Sequence, residues 1–178
     1  MRRVVTGHDA AGRPAIVADG PVPRRFEHRH PAGMVQELAW ATEAAAPAPR
    51  DGADPTAAVA SLLPGPGATR LVVVTFPPDS AFADPGFDPA AAAAENAAAA
   101  PGLAELFEPE SPGMHRSETT DYAFVLEGEV WLDLDEGRET RLAAGDLVVQ
   151  NATRHAWRNR TQSPAKVAFV LVGAAAEA

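Results

Sequence analysis

The sequence predicts an all-β fold from three observations. From Gly113 onward, short β-prone runs recur at regular intervals with turn residues between them. The first half adds further runs rich in Val, Ile, Leu and aromatic residues. Only the alanine-rich stretch after Asp88 carries both a helix start and a helix stop. Evenly spaced short strands build a sandwich or a barrel, and a chain of 178 residues suits one domain with a real core.

Residues 3–6 and 15–18 read as a hairpin whose connection contains Gly7, Asp9 and Gly12. Residues 34–41 alternate Met34, Gln36, Leu38 and Trp40 against Val35, Glu37 and Ala39, a pattern that favours a strand over a short helix. Residues 44–66 are rich in Ala, Pro, Gly and Asp, which suits a long surface connection. Residues 71–76 form a buried strand stopped by Pro77-Pro78.

Asp88-Pro89 opens the helix, because Asp accepts from free amides and Pro is tolerated in the first turn. Pro101-Gly102 ends it, and a shorter helical turn follows over 103–107. With little bulky apolar surface, this insertion belongs outside a barrel or near its mouth, as a connecting helix rather than a mobile lid. The strands 122–126, 129–134, 139–142, 147–150, 155–159 and 166–172 then follow. Gly128, Asp135-Glu136-Gly137, Gly145-Asp146 and Ser163-Pro164 punctuate them.

Composition removes several function classes. A net charge of -9 opposes docking on a polyanion, so nucleic acid is not an expected partner. Cysteine is absent, which leaves only nitrogen and oxygen ligands for any metal. Residues 1–9 lack the apolar stretch of a secretory signal, and no run is long enough to span a bilayer. A cytoplasmic location without membrane contact is the expectation.

The chemistry concentrates in two stretches. In the first, His115, Ser117 and Asp121 precede Gly128; in the second, Gly145 opens a strand, and His155 and Asn159 stand four residues apart beyond it. Residues two or four apart in a strand share a face, so His115, Ser117 and Asp121 face one cavity if the register holds, with His155 arriving from another strand. Two imidazoles and one carboxylate suit Fe(II), Mn(II), Ni(II) or Zn(II) and leave positions open for water or substrate. A strand histidine is more often a packed or surface residue than a ligand, and an Asp at a strand start is commonly a turn residue. The coincidence of the three with two separate motifs raises the metal reading.

These stretches resemble the two motifs of the cupin superfamily. His115 takes the first histidine position, Asp121 the carboxylate position and Gly128 the closing glycine, while Ser117 stands where the second histidine is usual. The second stretch lacks the usual proline in its turn. The resemblance implies a single double-stranded β-helix (jelly-roll) barrel over 1–178. Residues 1–112 then supply N-terminal strands, loops and the helical insertion, and 113–174 the core with both motifs. It also implies a divalent transition metal held by His115, Asp121 and His155, and a homodimer. Ser117 is then placed to hold a metal-bound water, and Asp121, one methylene shorter than glutamate, reaches the ion only where its strand lies close.

Other residues carry less. Trp157 shares the strand parity of His155, which fits a pocket wall or ordinary core packing equally. His28-Arg29-His30 has ligand-like spacing, but Pro31 follows and no carboxylate partner is apparent, so an exposed loop is expected; His8 is expected at the surface. Arg158 and Arg160 read as solvated, with capture of a substrate carboxylate by Arg154 or Arg158 as the alternative. The function favoured by the resemblance is a metal-dependent enzyme acting on a small oxygenated organic acid, phenol or polyketide-like molecule. Decarboxylase or dioxygenase chemistry is preferred to isomerase or cyclase chemistry. The alternative is a non-catalytic module that binds a small ligand. The sensory half of a transcription regulator is disfavoured, since no DNA-binding helix pair appears.

Overall fold

The computed structural model describes residues 1–48 and 51–175. In chain order the strands are β1 (Arg2–His8), β2 (Pro14–Pro21), β3 (Arg24–Glu27), β4 (Val35–Thr42), β5 (Thr69–Phe76), β6 (Thr119–Glu127), β7 (Glu129–Asp133), β8 (Glu139–Ala143), β9 (Leu147–Asn151), β10 (Ala156–Arg158) and β11 (Ala165–Gly173). The one α-helix among the described residues, α1, spans Pro89–Ala99. The expected all-β jelly-roll architecture is present.

Period-two alternation decides which faces meet. Along β11, Ala165, Val167, Phe169, Leu171 and Gly173 are buried and the residues between them half-buried. That strand sits in a six-stranded antiparallel sheet of order β3-β4-β5-β11-β6-β9. Its inner face packs on a three-stranded sheet of order β10-β7-β8, where Val130, Leu132 and Leu142 are buried. Among the described residues no strand pairing joins the two sheets, so the barrel is two facing sheets rather than a closed ring. Leu38 and Val72 from the N-terminal half share one core cluster with Val125, Val167 and Phe169. Among the described residues, β1 and β2 pair only with each other.

Gly128 turns β6 into β7 with φ +73°, and a Cβ there would lie 2.8 Å from the Pro164 carbonyl oxygen. The motif glycine therefore serves both turn geometry and close approach to β11.

Three expectations need correction. Strand β3 is absent from the sequence reading, because Arg24-Arg25-Phe26-Glu27 pairs with β4 despite its charge. The connection 44–66 is not wholly superficial: Thr56, Val59 and Leu62 are buried, and Val59 and Leu62 join the core. The reason is local anchoring, with Asp54 capping a 3₁₀ turn at Pro55–Ala58 and pairing with Arg3. Pro49 and Arg50 of that connection lie outside the described residues, as do 176–178 of the expected domain.

His28 is buried rather than in an exposed loop, because helix α1 brings the missing carboxylate to it. Asp88 starts α1 by accepting from the amides of Ala90 and Ala91. One turn before the helix ends, Glu95 accepts from the backbone amides of Arg29 at 2.9 Å and His30 at 3.0 Å. Its carboxylate lies 3.8 Å from His28 Nδ1, while Phe26 packs edge-on against the His28 ring. Burial pushes the His28 pKa down, and Glu95 offsets part of that. An alanine helix has little apolar area to bury, so polar ties at Glu95 and Asn96 hold it down. His8 is exposed, as expected.

Candidate functional site

His115 and His155 meet as a hydrogen-bonded pair across an isolated antiparallel bridge. Each backbone amide donates to the other residue's carbonyl, at 3.0 and 2.9 Å. The two side chains therefore leave the same side of the sheet, and their ring centroids lie 4.4 Å apart. Each Nδ1 approaches the carbonyl two residues back: Gly113 O at 3.2 Å for His115, Thr153 O at 2.9 Å for His155. A carbonyl only accepts, so Nδ1 carries the hydrogen and Nε2 keeps its lone pair. Both rings are buried, which holds them neutral. Burial, with a contribution from neighbouring His115, lowers the His155 pKa to about 4. Burial also lowers that of His115, offset in part by the Gly113 carbonyl and Glu108.

The pair lies inside a row of aromatic rings. Phe107, just past a 3₁₀ turn at Ala104–Leu106, stacks on His115 with centroids 4.4 Å apart and planes 25° from parallel. On the other side Trp157 meets His155 edge-on at 6.1 Å and Phe169 at 5.3 Å. Trp157 thus packs against the core while its ring meets the histidine edge-on. Phe107 has no signal in the sequence, since its place depends on a backbone bridge to His115.

Asp121 sits on the inner face of β6, between Gln150 of β9 and Leu171 of β11. Ser117, Thr119 and Asp121 are all buried on that face. Ser117 and Thr119 share a hydrogen bond of 2.7 Å, so the serine hydroxyl is already engaged within the chain. Asp121 Oδ1 is buried without a hydrogen-bond partner. Desolvation raises the Asp121 pKa to about 6, with the Thr119 hydroxyl pulling the other way. Strand parity could have found Thr119; Gln150, which ties the turn before His155 through Thr153, could not be found that way.

The two histidines come together, whereas Asp121 does not join them in a ligating set. Among the described residues no three His, Cys, Asp or Glu side chains stand as a group that could hold a metal ion. Strand pairing places Asp121 beside Leu171 and Gln150, and its short side chain stays near Thr119. Two further expectations change. Arg154 grips Glu108 with Nε and Nη2 at 2.7 and 2.6 Å and also pairs with Asp135. Arg158 pairs with Asp133 at 3.3 Å and donates to the Pro112 carbonyl at 2.7 Å. Their donors are committed inside the chain, which disfavours capture of a substrate carboxylate. Asn159 is structural, donating to the carbonyls of Phe76 and Ser163 and accepting from Thr161.

A family model described as the cupin domain matches residues 104–172, the stretch holding Phe107, both histidines and Asp121. The match gives a cupin domain over that stretch of the chain. Among curated relatives, phomopsin biosynthesis cluster protein D of Diaporthe leptostromiformis is 45% identical over 62 residues, 34% of this chain and 33% of that protein. The cupin-domain-containing oxidoreductase fogC of Aspergillus ruber is 42% identical over 66 residues, 35% of this chain and 32% of that one. The chain thus spans about a third of the curated relatives it matches. Among solved structures, a Cupin 2 conserved barrel domain protein from Salinispora arenicola is 17% identical, with TM-score 0.38 over 60% of this chain and 64% of that one.

Cupins commonly bind a divalent metal, and the donor types at His115, His155 and Asp121 suit one although the three are not assembled as a set. Two neutral imidazoles present Nε2 with Nδ1 fixed by a backbone carbonyl, the tautomer metal ligation needs. Asp121 holds a buried oxygen with no partner, a cost that a cation would remove. No helix among the described residues is long and apolar enough to cross a membrane.

Proposed function

We propose that this protein is a metal-dependent enzyme acting on a small oxygenated organic acid, phenol or polyketide-like molecule, by decarboxylation or oxygenation. The observation that carries the proposal is the histidine pair: two buried, neutral imidazoles 4.4 Å apart, each with Nδ1 tied to a carbonyl. Relatives named as cupin-domain-containing oxidoreductases and as biosynthesis cluster proteins support an enzymatic role.

His115 and His155 would hold Fe, Mn, Ni or Zn through Nε2, and Asp121, which stands apart from the pair, would complete the set as the carboxylate only by moving toward the ion. Such an ion supplies Lewis-acid stabilisation of developing charge on substrate oxygens and, as Fe(II), redox chemistry with dioxygen. The chain's own groups do the rest. Trp157 and Phe169 wall the site with apolar surface and limit water. The Gly113 and Thr153 carbonyls keep the proton on Nδ1 and so leave the Nε2 lone pair free. Protein purified without chelator is expected to carry about one transition ion per chain. His115→Ala and His155→Ala should each lose most of it by elemental analysis. Full metal content in both variants would end the proposal. The separation of Asp121 from the pair favours a second reading, a binding module without turnover. An anaerobic substrate screen with the metal-loaded protein separates the two.

We also propose a homodimer through the outer face of β6 and β9. Tyr122, Phe124, Leu126, Leu147 and Val149 are exposed there, and Phe124 pairs with Leu147 as Tyr122 does with Val149. A contiguous apolar patch of this kind on a sheet face marks an interaction surface. Light scattering should give a dimer for the parent protein and a monomer for Phe124→Glu; a monomeric parent would remove the proposal.

A further inference from the structure

The histidine pair is braced by side chains that are themselves engaged with the pair or with one another. Residues 108–114 form a tight loop that doubles back, with the Glu108 amide donating to the Met114 carbonyl at 2.9 Å and Gly113 at φ +83°. Its two ends, Phe107 and His115, are thereby set side by side as a bridge. The Phe107 ring lies flat on the His115 face at 4.4 Å, and His155 takes another side of the same imidazole at 4.4 Å. His115 is therefore held between two rings as well as by the Gly113 carbonyl.

The residue after Phe107 repeats the arrangement for the second histidine. Glu108 binds both ends of the Arg154 fork, and Arg154 immediately precedes His155. The third arm of the guanidinium pairs with Asp135 in the turn between β7 and β8. One arginine thus joins three loops around the pair. Arg154 and Glu108 are about a third exposed, at 32% and 38%, where an ion pair adds little to stability. A bidentate fork does fix geometry, since two parallel bonds define both a distance and a plane.

We propose that Phe107 and the Glu108–Arg154 ion pair are positioning residues for the histidine pair, Phe107 fixing the plane of His115 and Arg154 fixing the backbone that carries His155. The inference rests on the reading of the pair as the reactive centre. It adds a device that acts on both imidazoles from outside the ligand set.

The test uses the full chain with two readouts, each paired with far-UV circular dichroism as a fold control. The first is the imidazole proton–nitrogen spectrum of the metal-free protein. The parent should show His115 as the Nδ1–H tautomer, and Phe107→Ala should show a mixture with altered ring shifts. Phe107→Tyr, which keeps a ring in place, should restore the parent spectrum. The second readout is titration with Co(II) alone. Phe107→Ala, Glu108→Gln and Arg154→Gln should each weaken binding about 10-fold and shift the visible ligand-field bands, the range expected when groups behind a ligand are lost. Glu108→Gln combined with Arg154→Gln should bind no more weakly than either alone, because the pair acts as one unit. If Phe107→Ala does not fold, Phe107→Leu supplies a buried side chain without a ring. Folded Phe107→Ala or Phe107→Leu protein with the parent imidazole spectrum overturns the inference. A parent protein that binds no Co(II) removes the metal reading instead, and the imidazole spectra still decide this one.

Discussion

Asp121→Asn is expected to make the metal-free protein more stable above pH 6 while lowering its capacity for metal. The carboxyl is buried, with Oδ1 lacking any partner, and its pKa rises from 3.8 to about 6. Between those values the folded state keeps a proton that the unfolded chain has released. Stability therefore falls as pH climbs through that window, and the full penalty stands above pH 6. A shift of two pKa units corresponds to ~3 kcal/mol, of which an asparagine, still a buried polar group, should recover about 2 kcal/mol. The gain should vanish below pH 4, where the parent carboxyl is neutral in both states. His155 works in the opposite direction: its lowered pKa means that stability is lost as pH falls from 6.5 toward 4. The asparagine variant should therefore keep the acid-side loss and lack the alkaline one. Chemical denaturation at pH 4, 6 and 8 with chelator present measures this. A variant less stable than the parent at every pH would mean that the Asp121 carboxylate is not a strained group awaiting a cation.

Gly173→Ala is expected to cost about 3 kcal/mol or more, among the largest effects of any single methyl group in the chain. Gly173 closes β11, its amide donating to the Ala68 carbonyl at 3.0 Å while its own carbonyl accepts from Gly67 at 2.9 Å. A Cβ there would overlap the Gly65 carbonyl and stand 2.6 Å from the Pro64 oxygen. Those neighbours are backbone, so no rotamer change relieves the clash. Either the loop lifts or the last rungs between β11 and β6 open, and β6 carries Thr119 and Asp121. A urea midpoint close to that of the parent would show that the 65–68 loop yields freely.

The two glycines illustrate how much could be foreseen. Gly128 was legible because it punctuates two β-prone runs at a motif spacing, and a turn needing positive φ follows from that context. Gly173 was not, since its role depends on a loop more than a hundred residues earlier meeting the end of β11. His28 follows the same logic. Its spacing to His30 could be seen, but the carboxylate that accompanies it, Glu95, arrives on a helix whose docking face is made of alanine. Alanine periodicity says little about direction, because every face of such a helix looks alike.

The amino-acid sequence by itself determined the strands other than β3, the helix start at Asp88, and the two stretches that bring His115 and His155 into one fold. Hydrophobic alternation and turn chemistry are local, so they can be read along the chain. Only the tertiary structure decided that the imidazoles face each other while Asp121 remains apart, that Phe107 covers His115, and that Arg154 is committed to Glu108. Those outcomes depend on strand register and on contacts between distant segments, where a displacement of a few ångströms makes or breaks a bond. No local pattern encodes such distances.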